Sequence, residues 1–334
     1  MSTLKIGALK NNGSAVALPN GVKVGGNEII QGYTSSGTEP TSPAKGDFWW
    51  DSTNELLYQY ANGVFKAIGI VAEIWDVSKS TYDSVSLSVA SQDNTPFGFT
   101  FNTTGTRMYV SGNQYDNIYQ YNLSTAFDLS TASYNSVNFS ASSQSTIITG
   151  VNFNSSGSIM YVTDFGNTRV LQYNLSTNFD VSTATYNNVS FTISSQTTRP
   201  FSVIFNPTGT KMYILQDSPG EIYQYSLSTG FNLSTASYDS VSFSVNSQET
   251  NNAKGLTFNT DGTKMYMVGT STDNVHQYSL STAFDLSTAS YDSVSFSVAG
   301  QDTSPFDIAF NANFTKMYII GGTNDSVFQY STNI

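Results

Sequence analysis

The feature that most constrains this chain is that it copies itself. The string "FDLSTASYDSVSFSVAGQDTSPFDIAF" at 284–310 nearly reproduces "FDLSTASYNSVNFSASSQSTIITGVNF" at 127–153. Tyr82, Tyr134, Tyr186, Tyr238 and Tyr291 open units of 52, 52, 52 and 53 residues. Each unit then carries a glutamine (Gln92, Gln144, Gln196, Gln248, Gln301) and a Phe-Asn pair (Phe101-Asn102, Phe153-Asn154, Phe205-Asn206, Phe258-Asn259, Phe310-Asn311). A Met-Tyr pair follows (Met108-Tyr109 through Met317-Tyr318), and a Gln-Tyr pair ends the unit (Gln120-Tyr121 through Gln329-Tyr330). Five copies within one chain report a recurring structural demand.

Each unit reads as four short strands. Val294, Phe296 and Val298 alternate with serines, the mark of a half-buried strand. Leu256 and Phe258 share one face of the next, "KMYMV" is apolar on both faces, and "NVHQYSL" is the fourth. In "FNPTGTKMY", Pro207 suits the second position of a type I turn, and Gly209 can take the left-handed conformation that closes a hairpin. A small sheet of this kind buries its two faces only against neighbouring copies, so the expected fold is all-β, a five-bladed β-propeller. The phase of the repeat fixes how the ring closes. "IWDVSKSTYDSVSLSV" at 74–89 supplies an outer strand before any inner strand has appeared, and the chain stops at "FQYSTNI" without one. Residues 82–89 are therefore expected to complete the last blade, a one-plus-three closure that removes an open seam.

The first seventy residues differ. They are turn-rich, with a Pro-containing linker "TEPTSPAKGD" and then "FWWDSTNELLYQYANGVFKAIG", which reads as a three-stranded meander. Tyr58-Gln59-Tyr60 echoes the repeat and raises a degenerate sixth blade as the alternative, against which stands the lack of a preceding Phe-Asn-x-x-Gly hairpin. The expected division is a β module over 1–70 and the propeller over 71–334.

Composition narrows the partners. With a net charge of −11 and only 11% charged residues, the chain has no basic patch to neutralise phosphates, so nucleic acid and insertion into membrane are not expected. Cysteine is absent, which removes disulfides and thiolate metal sites, and no apolar run of signal-peptide or membrane-spanning length occurs. His276 is the one histidine and fills the position of Tyr119, Leu171, Tyr223 and Phe328, so it reads as a core residue rather than part of a triad or metal cluster. Asp128, Asp180 and Asp285 recur before Leu/Val-Ser-Thr, where they can cap local amides. Asp302 with Asp307 is the pair that raises calcium, without a dense oxygen-ligand motif around it, and no cofactor or metal is expected. The sequons at Asn122 and Asn174 fall at repeated positions and read as turn chemistry.

The segment "GTEPTSPAKGDFWWDSTNELLYQYANGVFKAI" resembles a small module near the N-termini of tail-fibre and other virion proteins of tailed bacteriophages, and the repeat is similar to those of phage and bacterial, especially marine, proteins. The resemblance implies a non-enzymatic virion structural protein assembled in the host cytoplasm. Its N-terminal module would dock to other virion proteins or oligomerise, with a trimer expected, and its propeller would be displayed towards a host surface glycan or receptor. The alternatives are a secreted or cell-surface carbohydrate-binding propeller, and then a propeller hydrolase or lyase.

Variation between copies locates the expected binding surface. The "NxxGT" turns and "LSTAFDLSTASY" links, on one face, barely change. On the other face the connections read "QDNTPF", "QSTIIT", "QTTRPF", "QETNNAK" and "QDTSPF", and the extra residue of the 53-residue unit falls there too. Loops released from the scaffold are where recognition can be built. The candidates are Tyr115, Asp164, Phe165, Arg199, Asp217, Glu249 and Asn251, with Arg199 suited to an acidic sugar or carboxylate. Phe314 stands where Gly105, Gly157, Gly209 and Gly262 stand elsewhere, so its turn is expected to take a different geometry and to bury the ring.

Overall fold

The computed structural model describes residues 76–332, together with the backbone of the strands Lys23–Val24, Asn27–Glu28, Tyr33–Ser36, Phe48–Asp51, Leu56–Ala61 and Val64–Ile70. Two compact units, Met1–Ile74 and Trp75–Ile334, make up the chain. In the first, the meander of Phe48–Asp51, Leu56–Ala61 and Val64–Ile70 gains Tyr33–Ser36 as a parallel neighbour of Phe48–Asp51. A propeller blade is antiparallel throughout, so this sheet is not a sixth copy.

The second unit is a five-bladed propeller. Blade one, for example, consists of Pro96–Phe101, Arg107–Gly112, Asn117–Leu123 and Ala132–Ser140 in antiparallel order from the innermost strand outwards. Blade five takes Pro305–Phe310, Lys316–Gly321 and Ser326–Ser331 from the end of the chain and Thr81–Ser88 from its beginning. The register Phe328↔Ser86 and Tyr330↔Tyr82 places Tyr82 against Tyr330 at 5.5 Å between centroids, as Tyr134 stands against Tyr121 in blade one. The expected closure is what forms.

The recurring residues are the joints between blades. The Met-Tyr tyrosine of each blade packs on the Phe-Asn phenylalanine of the next: Tyr109–Phe153, Tyr161–Phe205, Tyr213–Phe258, Tyr266–Phe310 and, across the closure, Tyr318–Phe101, all at 4.4–4.8 Å. The Gln-Tyr glutamine reaches the next blade's link. Oε1 of Gln120, Gln172, Gln224, Gln277 and Gln329 accepts from the backbone N–H of Val181, Leu233, Leu286, Val77 and Leu129 at 2.9–3.2 Å. The Gln-Tyr tyrosine donates to the earlier glutamine of its own unit, as Tyr121 does to Gln92 at 3.0 Å. Each link carries a 3₁₀ turn capped by Asp76, Asp128, Asp180, Asn232 or Asp285, whose side chain accepts from the amide two residues on. Asn122 and Asn174 lie on strands and accept from Asn135 and Asn187, so the sequon asparagines bond strand to strand.

Glycine is required at the invariant hairpins. Gly105 has φ +70°, and a Cβ there would fall inside the ring of Phe127; Gly157, Gly209 and Gly262 repeat this under Phe179, Phe231 and Phe284. At Phe314 the outcome divides. The turn keeps the left-handed conformation, φ 57°, contrary to the expected change of geometry, while the ring is buried as expected. It stacks on Phe310 at 4.5 Å and 17°, in the place that a link phenylalanine fills elsewhere, so the backbone strain is offset by an aromatic contact.

Two outcomes are expected on unfolding. Deleting residues 76–90 exposes the edge of Ser326–Ser331 and removes the Val77–Gln277 bond, so the thermal midpoint should fall by about 10 °C or more, or cooperativity should vanish; an unchanged melt followed by circular dichroism would contradict the closure. Phe314→Gly relieves the strained φ but empties a buried ring position, and should destabilise by about 2–4 kcal/mol in urea unfolding.

Candidate functional site

The variable face has two kinds of polar group, and burial separates them. In blades one, four and five the loop acid lies over a glycine of the facing hairpin: Asp93 over Gly112, Glu249 over Gly269 and Asp302 over Gly321. Each accepts hairpin amides. Asp302 takes those of Thr323 and Asn324 at 3.2 and 2.9 Å, with the amide of Ser304 in its own loop at 2.8 Å, and Glu249 takes those of Ser271 and Thr272 together with the Thr272 hydroxyl. Blade two reverses the arrangement. Asp164 sits on the strand at the glycine position, and Ser145 in the loop donates to it at 2.6 Å, beside Arg169 Nε at 2.8 Å.

Asp164 and Glu249, singled out for recognition, are therefore fully buried loop clamps. His276 lies beside Glu249 at 3.5 Å and meets Thr272 at 3.1 Å and Tyr291 at 3.3 Å, as a buried core residue with polar partners. Asn251 holds a left-handed turn, φ 60°, and accepts from Ser218 at 3.2 Å, tying two loops together. Tyr115 stands apart in blade one, 56% exposed, its hydroxyl accepting from Gln114.

The remaining candidates converge. Asp217, itself buried, holds Arg199 in a two-point pair, Nε to Oδ1 at 2.7 Å and Nη2 to Oδ2 at 2.8 Å. Its Oδ2 also receives Lys254 Nζ from the next blade at 3.1 Å. The Arg199 guanidinium lies 5.4 Å from the ring centroid of Phe165, and Lys254 Nζ lies 4.4 Å from that of Phe201. Desolvation pulls the Lys254 ammonium below its ordinary range, against the attraction of Asp217, and donating hydrogen bonds to Asp217 raises Arg199. Two cations thus share one carboxylate.

Beside them three rings meet across the propeller axis. Phe97, Phe201 and Phe306 come from the innermost strands of blades one, three and five, with centroids 5.1, 5.3 and 6.1 Å apart. Rings from non-adjacent blades touch only over the channel, so they floor its mouth. The equivalent positions in blades two and four hold Thr149 and Lys254. Lys254 and the three phenylalanines escaped the sequence reading. Aligning the copies with the extra residue of blade four placed before Lys254 would have shown the run Phe, Thr, Phe, Lys, Phe.

One residue further in, Gly98, Gly150, Ser202 and Gly255 keep the inner strands in close approach, and Asp307 stands in the fifth place. Its carboxylate accepts from the amides of Phe99, in blade one, at 3.0 Å and Ile308 at 2.9 Å. Burial pushes this carboxyl up to about 7, with those two amides holding it down in part. Asp302 and Asp307 are thus committed to different amides, and among the described residues no group of three or more His, Cys, Asp or Glu is placed to hold a metal ion.

No family model and no curated protein matches the chain. Among solved structures it is similar to the periplasmic gluconolactonase of Pseudomonas aeruginosa, at 12% identity and TM-score 0.46 over 83% of this chain and 88% of that one. A luciferin-regenerating enzyme matches at 11% and 0.47, over 74% and 94%. A candidate 6-phosphogluconolactonase from Bacteroides uniformis matches at 14% and 0.46, over 69% of this chain and 65%, just under two thirds, of its own. These are likenesses of fold. Against the expected non-enzymatic virion structural protein, all three are titled as enzymes and none as a virion protein, so that reading is not carried further. The reason for the error is physical: a propeller assembles its chemistry from loops of separate blades, so the lack of a contiguous catalytic motif excludes nothing.

Asp307 makes stability depend on pH with a definite sign. A carboxyl whose folded-state value lies near 7 rather than 3.8 binds its proton more tightly when folded. Its contribution is intact below about pH 4 and is lost as pH rises to about 7. Asp307→Asn should flatten that part of the curve, and parallel profiles for the two proteins in urea titrations from pH 4 to 8 would exclude the assignment.

Proposed function

We propose that this chain is a carbohydrate-directed propeller whose ligand seats on the variable face, at the mouth of the central channel. The observation that carries the reading is the convergence of Phe165, Arg199, Asp217 and Lys254, from three consecutive blades, beside the floor of Phe97, Phe201 and Phe306. Aromatic faces suit the C–H surface of a sugar ring, and positioned charged groups fix its polar edge. The internal fivefold pattern demands none of these residues. Scaffold positions repeat in all five blades, whereas the ring position holds Phe in three and the residues at Phe165, Arg199, Asp217 and Lys254 each occur once.

A second reading is hydrolysis of that ligand, favoured by Asp307. It is a carboxyl at a position that the other blades fill with glycine or serine, next in sequence to Phe306 and poised near neutrality. Asp307 would serve as a general base once the Phe97–Phe306 contact opens to admit the ligand.

Saturation-transfer NMR with a panel of mono- and oligosaccharides tests the binding site. Phe97→Ala with Phe306→Ala should weaken the best ligand by about tenfold or more, while Thr125→Ala with Thr177→Ala on the opposite face should leave it unchanged. The reverse result would place the site elsewhere. For the second reading, a sugar lactone is the probe, and Asp307→Asn should abolish turnover while binding remains.

A further inference from the structure

We infer that this mouth selects an acidic sugar, its carboxylate held by the charge that Arg199 and Lys254 carry in excess of Asp217; the inference rests on the reading of the mouth as a carbohydrate site. The chain has a net charge of −11, yet here two cations meet one carboxylate. The other described arginine and lysine ion pairs each use a carboxylate of their own. Arg169 is taken by Asp164, and Lys211, Lys264 and Lys316 by Asp239, Asp292 and Asp83.

The geometry gives the two cations different duties. Asp217 engages Arg199 through Nε and Nη2, and among the described residues Nη1 has no such bond; the side chain is 49% exposed. A guanidinium fixed on one edge by a buried carboxylate and resting on Phe165 is oriented in advance, which lowers the entropy lost when a second carboxylate binds. Lys254 is only 10% exposed in its side chain and acts from beneath, where poor screening makes its charge count for more than at the surface. Asp307, drawn towards its neutral form by burial, does not cancel it at mildly acidic pH. The sugar ring would then lie over the rings of Phe97 and Phe306, which are half-buried.

The test uses D-glucuronate and D-glucose, which differ at C6 alone, each titrated by NMR at low and high salt. Glucuronate should bind at least about tenfold tighter, and the margin should shrink as salt rises. Arg199→Gln and Lys254→Met should each cost glucuronate more affinity than glucose, and so narrow the preference. Asp217→Asn, which releases the second positive charge, should widen it. Circular dichroism melts confirm that each variant folds, and the exposed Arg199→Gln keeps the test decisive if a buried variant does not. Equal affinity for the two sugars would overturn the acidic selectivity alone. Binding of neither would overturn the carbohydrate reading, and the selectivity with it.

Discussion

The ring depends on one bond repeated five times: a buried glutamine carbonyl in each blade accepts the backbone N–H that starts the 3₁₀ turn of the next blade's link. The glutamines are at most 6% exposed, so an unmade bond would leave both a polar side chain and an amide stranded in apolar surroundings. The partner of each glutamine carbonyl comes from the next blade. Fold and closure are thereby coupled, and the aromatic pairs from Tyr109–Phe153 round to Tyr318–Phe101 couple them again. Val77, seventy-odd residues into the chain, completes the set for a glutamine 200 residues later.

This coupling explains why the architecture was legible in the sequence. A joint that must recur five times leaves its residues in register, so Gln-Tyr, Met-Tyr and Phe-Asn could be recognised before their partners were known. Asn102, for instance, accepts the Arg107 amide across its hairpin, and Asn154, Asn206, Asn259 and Asn311 do the same for theirs. The site was less legible. Departure from the repeat marks both a residue that recognises something and a residue that compensates for a neighbouring departure, and the sequence does not separate the two. Asp164 and Arg199 looked alike; burial and partners distinguish them. Lys254 was hidden by the extra residue of blade four. Phe314 was read as a change of backbone, whereas the backbone is held by the hairpin's bonds and the side chain adapts to it.

The functional reading went astray for a related reason. Repeats and a short N-terminal module describe how a chain is built, and the same building serves display, binding and catalysis. What separates these is which groups converge at one place. Here that means two cations around one carboxylate, three phenyl rings over the axis and a buried carboxyl one residue below them. Apart from Phe306-Asp307 these groups are scattered along the sequence, and most come from different blades.

The exchange of acid and glycine across the loops has a consequence for how such a chain can change. Where a hairpin offers a glycine, the facing loop must offer a carboxylate, and where the hairpin carries Asp164 the loop carries Ser145. The two strings lie about twenty residues apart, yet they behave as one inheritable part. A loop moved alone from blade five to blade two would set Asp302 against Asp164, two carboxylates in a space built for one. Moved together with its hairpin, it would bring its own counterpart along. The unit of diversification on this face is therefore a matched pair of loops, and a blade can acquire a new surface only by changing both at once.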